Sequence, residues 1–156
     1  MSVSVPSVIR VLKTSKDTKI KLPSYPGDMG FNVACTEQVD LLPGVVTRVN
    51  IGMQIALPEG MVCTQLARSG AVAEGLFVLP TIIDEGYRGP MYLFVINFGQ
   101  EHRVVFPGES IAQLVLLINT APGITIEYVD ELPPSARGVN GFYSTGKAVI
   151  YGGEGS

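Results

Sequence analysis

Residues 45–57 read VVTRVNIGMQIAL, and the phase of that stretch decides the fold class. Thr47, Val49, Ile51, Met53, Ile55 and Leu57 fall on one face of an extended chain, and Arg48, Asn50, Gly52 and Gln54 on the other. A period of two over this length is the mark of a half-buried β-strand. The same texture recurs on both sides. MYLFVINF (91–98) is apolar on both faces, which predicts a strand buried between layers. SVIRVLK (7–13), SIAQLVLLIN (110–119) and ITIEYVDEL (124–132) supply further strands. Turns are expected at LPG (42–44), LPEG (57–60), FPGE (106–109) and APG (121–123), within an even spread of 18 glycines and 11 prolines. Only SGAVAEG (69–75) predicts a helix, a short one with Ser69 as N-cap and Gly75 as its C′ residue. Closely spaced strands with one short helix predict an all-β sandwich or closed barrel such as a jelly roll. From about Leu132 the pattern fades, so residues 1–131 are expected to form the barrel and 132–156 a flexible arm.

Composition narrows the function classes. A chain of 156 residues is expected to be a single domain that buries about two-thirds of its unfolded surface. The net charge of −3 argues against a broad nucleic-acid-binding face, so any anionic ligand must be held by local donors. The start, MSVSVPSVIR, lacks the basic and apolar regions of a signal peptide. No run of about eighteen apolar residues predicts a membrane span. Cys35 and Cys63 have no CxxC spacing, and His102 is the only histidine. A zinc site needs four ligands, and a Ser–His or Cys–His pair would rest on that one imidazole. Buried free thiols, a surface histidine and an intracellular protein are the expectation.

Four stretches could carry chemistry. GFYSTGK (141–147) fits the first part of the phosphate-binding pattern GxxxxGK[ST]. Ala148 then occupies the magnesium-binding hydroxyl position, and no strand precedes nor helix follows, so the P-loop reading fails. In LARSGAVAEG (66–75), Arg68 offers a fork suited to phosphate, with Ser69 and Gly70 where a helix begins; a turn with a capping serine fits equally. In IIDEGYRG (82–89), Asp84 is a candidate general base and Tyr87 a stacking ring, although Asp followed by Glu-Gly is also an ordinary turn. In PGESIAQLV (107–115), Gln113 is a lone polar residue on an apolar strand, a ligand contact or simply a side chain hydrogen-bonded in place.

Taken in order, GDMGFNVAC, LARSGAVAEG, IIDEGYRG, GESIAQLV and RGVNGFYSTG resemble the five motifs of the trimeric dUTPase family, from about Gly27 to Gly146. The resemblance implies a jelly-roll subunit in a homotrimer that hydrolyses dUTP to dUMP and pyrophosphate with Mg²⁺, keeping uracil out of DNA. The active sites would lie between subunits, and the C-terminal arm would close over a neighbouring site. By the same resemblance, Asp84 would activate the water attacking the α-phosphorus, and Tyr87 would lie under the deoxyribose and exclude a 2′-hydroxyl. The backbone at Ile82 and Ile83 would border the base. Arg68, Ser69, Gly70 and Gln113 would hold phosphate oxygens. In the arm, Arg137 would reach phosphate, Phe142 would cover the uracil, and Ser144, Thr145 and Gly146 would wrap the γ-phosphate. Mg²⁺ would ride chiefly on the phosphates.

The chain departs from the family pattern at identifiable places. Asn32 stands where a carboxylate normally assists the metal shell through water, and Ala67 replaces a proline. Leu79, Pro80 and Thr81 occupy a hairpin that normally carries small residues, and Tyr143 replaces a glycine. These departures motivate an alternative, a dUTPase-derived nucleotide-binding or interaction module with weak or lost catalysis. The related dCTP deaminases are a third possibility, which the STG wording of the arm argues against.

Overall fold

In the computed structural model, which describes residues 8–140, the alternating stretches become short antiparallel strands. In chain order they are β1 (Arg10–Lys13), β2 (Ile20–Lys21), β3 (Gly30–Val33), β4 (Val39–Leu41), β5 (Val46–Asn50), β6 (Met53–Ala56) and β7 (Met61–Ala67). A single turn of helix α1 (Ser69–Ala73) follows, then β8 (Leu76–Val78), β9 (Ile82–Ile83), β10 (Tyr92–Asn97), β11 (Arg103–Val105) and β12 (Ala112–Ile118). The largest sheet runs β2-β3-β12-β7-β9, a second runs β5-β10-β8, and β1-β6 and β11-β4 form two-stranded ribbons. The sheets enclose one core, with Leu41, Val49, Ile51, Met53, Leu76, Leu93, Val95 and Val105 essentially solvent-free. This is the jelly-roll barrel that the sequence predicts.

The phase of residues 45–57 holds, since Val49, Ile51, Met53, Ile55 and Leu57 are all buried. Their continuity does not. The stretch breaks at Gly52 (φ +66°), and its halves pair with different partners, β5 with β10 and β6 with β1. Two further expectations are corrected. MYLFVINF buries only the face of Met91, Leu93, Val95 and Asn97, while Phe94 and Phe98 on the other are 38% and 68% exposed. ITIEYVDEL forms no strand and is exposed along its length, because alternation needs a partner edge and none of the described strands pairs with it. The APG turn is a short 3-10 helix, Ala121–Gly123. Among the described residues, those up to Gly123 form one compact unit, and those from Ile124 form a second.

The helix also differs in detail. Arg68, not Ser69, is the N-cap residue, with extended backbone and no side-chain capping bond. Its own N–H is used by Ile111 O (2.9 Å), and its carbonyl accepts from Val72 N (3.0 Å). Gly75 follows the helix with φ +86°, as a C′ glycine should. Both cysteines are buried and free, and His102 is an exposed residue paired with Asp40 at 2.8 Å.

Candidate active site

The stretch IIDEGYRG makes a short strand and a tight turn. Ile82 and Ile83 pair with Thr64 and Cys63 of β7, and the turn then closes through Tyr87 N–H donating to Asp84 O (3.1 Å). Its flanks are tied down. Glu85 accepts from Gly60 N–H (2.8 Å), and the Arg88 guanidinium donates back to Glu85 O (2.7 Å) and Tyr87 O (2.9 Å). The Tyr87 hydroxyl donates to Pro90 O at 2.9 Å. Its ring lies so close over Gly89 that a Cβ there would sit 2.6 Å from Cζ. Only glycine admits the ring in that position, so Tyr87 is held by both its ends and still presents 42% of its surface. Thr81, Ile82, Ile83, Asp84, Tyr87 and Phe94 line a mainly apolar cleft of about 290 Å³, with the Asp84 carboxylate at its exposed rim.

A second, more polar cleft of about 370 Å³ is lined by Ser24, Asp28, Asn32, Arg68, Ser69 and Gln113. Arg68 is steered by its Nη1 donating to Ser110 O (3.1 Å). Ser69 is exposed in the first turn of α1, with Gly70 beside it. Gln113 on β12 lies across Gly30, where an added Cβ would meet its Oε1 at 1.8 Å, and its Nε2 donates to Ala67 O at 3.3 Å. Gly30 is therefore fixed as glycine by the amide that passes over it. Asn32 sits directly opposite Gln113 in the ladder. The adjoining cleft adds Lys19 and Lys21 to Arg68 and Asn32, which makes this end of the barrel basic.

The two clefts share no lining residue. The strand register says how far apart they are. Ile83 is level with Cys63, so Asp84 falls level with Val62 on the antiparallel partner, six residues before Arg68. At about 3.3 Å per residue, that is roughly 20 Å along β7. The structure thus brings Asp84, Ile82, Ile83 and Tyr87 together, and Arg68, Ser69, Asn32 and Gln113 together, as two separate groups. Arg137 belongs to the unit beginning at Ile124, where its Nε donates to Asn140 O (2.8 Å). Phe142, Tyr143, Ser144, Thr145 and Gly146 lie outside the described residues.

As to a metal, no group of three or more His, Cys, Asp or Glu side chains gathers among the described residues. The polar cleft instead offers the Asn32 and Gln113 carboxamides and one carboxylate, Asp28. Such a set does not cage a bare ion. It does fit Mg²⁺ that arrives on phosphate oxygens and keeps much of its water.

Sequence reasoning missed one pair altogether. Gln65, on β7, is wholly buried, and its Oε1 accepts from the Thr81 hydroxyl at 2.7 Å. Its Nε2 is the only buried side-chain polar atom among the described residues without a partner. The signal was present in the run Met61, Cys63, Gln65, where a polar residue continues the buried phase of the strand.

A barrel with an exposed carboxylate beside a pinned tyrosine, and a basic cleft with an arginine fork, offers one surface suited to a ring and another suited to phosphate oxygens. The comparisons with known proteins agree. The family model described as dUTPase matches residues 16–146. A deoxyuridine 5'-triphosphate nucleotidohydrolase of Streptomyces avermitilis is 36% identical over 152 residues, covering 94% of this chain and 86% of that protein. One of Clostridium novyi is 37% identical, with 87% and 96% covered. Among solved structures, the dUTPase of Staphylococcus bacteriophage 80alpha with dUpNHpp superposes with a TM-score of 0.78 over 90% of this chain and 99% of that one, at 24% identity. A mutant dUTPase of phage phi11 of S. aureus, described with a structural Mg(II) ion, gives 0.73 at 19% identity, covering 82% of this chain and 100% of that one. At these identities the two phage structures speak for the fold. The chain belongs to the dUTPase family.

Proposed function

We propose that this chain hydrolyses dUTP to dUMP and pyrophosphate by attack of water on the α-phosphorus, and so keeps uracil out of DNA. The observation that carries this reading is the apolar cleft with Asp84 at its rim and Tyr87 fixed beside it. Asp84 accepts a hydrogen bond from the attacking water and takes its proton, the geometry that general base catalysis requires. The deoxyribose lies on the exposed face of the Tyr87 ring, which cannot retreat because Gly89 and Pro90 O hold it, so a 2′-hydroxyl finds no room. Ile82 and Ile83 border the base.

Arg68, Ser69, Gly70 and Gln113 hold phosphate oxygens, and their fixed donors favour the charge that builds on the departing pyrophosphate. Arg137, Phe142, Ser144, Thr145 and Gly146 act from the arm, residues 132–156. Mg²⁺, when bound, would supply neutralisation of phosphate charge, and Asn32 would assist in holding it indirectly, through water. The active form is a homotrimer with shared sites. Two features support that reading: Asp84 and Arg68 stand roughly 20 Å apart along the backbone of β7 and line separate clefts, and the half-open apolar face at Phe77, Phe94 and Phe98 is suited to a contact. Among the described residues, no helix is long and apolar enough to cross a membrane.

The test is release of pyrophosphate from dUTP with Mg²⁺ by purified protein. Asp84→Ala is expected to lose at least about a hundredfold in turnover, the low end of what a general base contributes. A wild-type protein that releases no pyrophosphate sinks the reading.

A further inference from the structure

The wall of the apolar cleft is built by a segment that leaves one sheet for another. Leu79 N–H donates to Phe94 O (2.8 Å), tying the segment to β10, and three residues later Ile82 begins the pairing with β7. Between those anchors Pro80 has no N–H to give. What holds the crossing is a side-chain bond. Extending the pairing of Ile83 with Cys63 and Ile82 with Thr64 by one step sets Thr81 directly opposite Gln65. There the Thr81 hydroxyl donates to Gln65 Oε1 at 2.7 Å, continuing the ladder where the backbone pairing stops.

We infer that Gln65 is a positioning residue for base selection: through Thr81 it fixes the cleft wall, and with it the room left at the edge of a pyrimidine ring. The inference rests on the proposed reading that this cleft takes the base of dUTP. Core packing alone does not explain the residue. Its neighbours in the buried row, Met61 and Cys63, are apolar, and a leucine would fill the same place with no orphaned amide. The other buried amide, Asn97, satisfies both its ends, donating to Leu41 O and Glu101 O and accepting from Gly99 N–H. Gln65 makes one bond, and that bond goes to a residue lining the cleft.

The experiment compares Gln65→Leu, Thr81→Val, their combination and Thr81→Ser. It reads kcat/KM for dUTP and dTTP, thermal stability, and hydrogen exchange of residues 79–86 in the free protein. One methyl group in an apolar pocket discriminates by about tenfold or more, so the dUTP preference is expected to fall about tenfold in each of the first two variants. The loss is expected in the KM ratio, and the combined variant should lose no more than either alone. Thr81→Ser keeps the hydroxyl and the wild-type ratio. Gln65→Leu leaves the Thr81 hydroxyl without its acceptor, whereas the combined variant leaves no polar group unpaired and melts no lower than wild type, and that result separates selection from stability. An unchanged dUTP:dTTP ratio in a folded Gln65→Leu protein overturns the inference, as does a combined variant whose losses add. If the wild type turns over neither nucleotide, the functional reading has failed, and exchange then decides the latch. Faster exchange over 79–86 in both single variants supports it, and unchanged exchange overturns it.

Discussion

At the scale of single residues, burial dictates chemistry most plainly at the two thiols. Burial pushes Cys35 from an ordinary 9.0 up to about 12, with Glu109 adding to the rise, and pushes Cys63 up to about 11. Both are neutral, unreactive core fillers at physiological pH. The shift has a consequence for stability with a definite sign. Above pH 9 the unfolded chain releases thiol protons that the folded chain keeps, so the unfolded state binds fewer protons and the folded state loses ground. The stabilisation is complete below about pH 9 and is lost as pH rises toward 11–12. The slope contributed is at most about 1.4 kcal/mol per pH unit for each thiol. Urea unfolding at pH 8, 9 and 10 should show a steeper decline in wild type than in a Cys35→Ala/Cys63→Ala variant; equal slopes would count against the account. The same scale holds the candidate site residues. That Asp84 and Tyr87 share one cleft and Arg68 and Gln113 another was legible only in part: the local turns and strands are written in the sequence, their grouping is not.

At the scale of elements, the sequence carries phase better than partnership. Residues 45–57 bury the face their alternation assigns, yet the chain changes sheets at Gly52. That change depends on one backbone conformation, φ +66°, in a crowded corner where a Cβ would meet Thr36, Thr18 and Ser15 at 2.6–2.9 Å. Gly52→Ala therefore combines a left-handed backbone penalty of about 1–2 kcal/mol with steric conflict. A loss of at least about 2 kcal/mol is expected, which lowers Tm by at least about 4 °C for a domain of this size. A variant that melts like wild type would show that the corner yields easily. The same limit explains ITIEYVDEL, whose alternation is real but whose ladder partner is a property of the fold. It explains Gln65 too, whose importance appears only when β9 is laid against β7 and Thr81 comes level with it.

At the scale of the whole molecule, the separation of the two clefts is the decisive geometry. Arg68 and Asp84 are separated in the chain by α1, β8 and β9, and the antiparallel pairing of β9 with β7 sets them at opposite ends of β7, roughly 20 Å from each other. On the function proposed above, a site that uses both on one triphosphate takes them from different copies of the chain. This can be tested with two inactive proteins. Arg68→Ala and Asp84→Ala are unfolded, mixed in equal amounts and refolded together. If each site draws Asp84 from one subunit and Arg68 from its neighbour, random assembly leaves about one quarter of sites with both intact, and the mixture should recover about that share of wild-type activity. Each parent refolded alone should stay inactive. A mixture as inactive as its parents, with mixed assemblies verified by mass, would mean that each chain builds its own site and that a large rearrangement must bring Asp84 to Arg68.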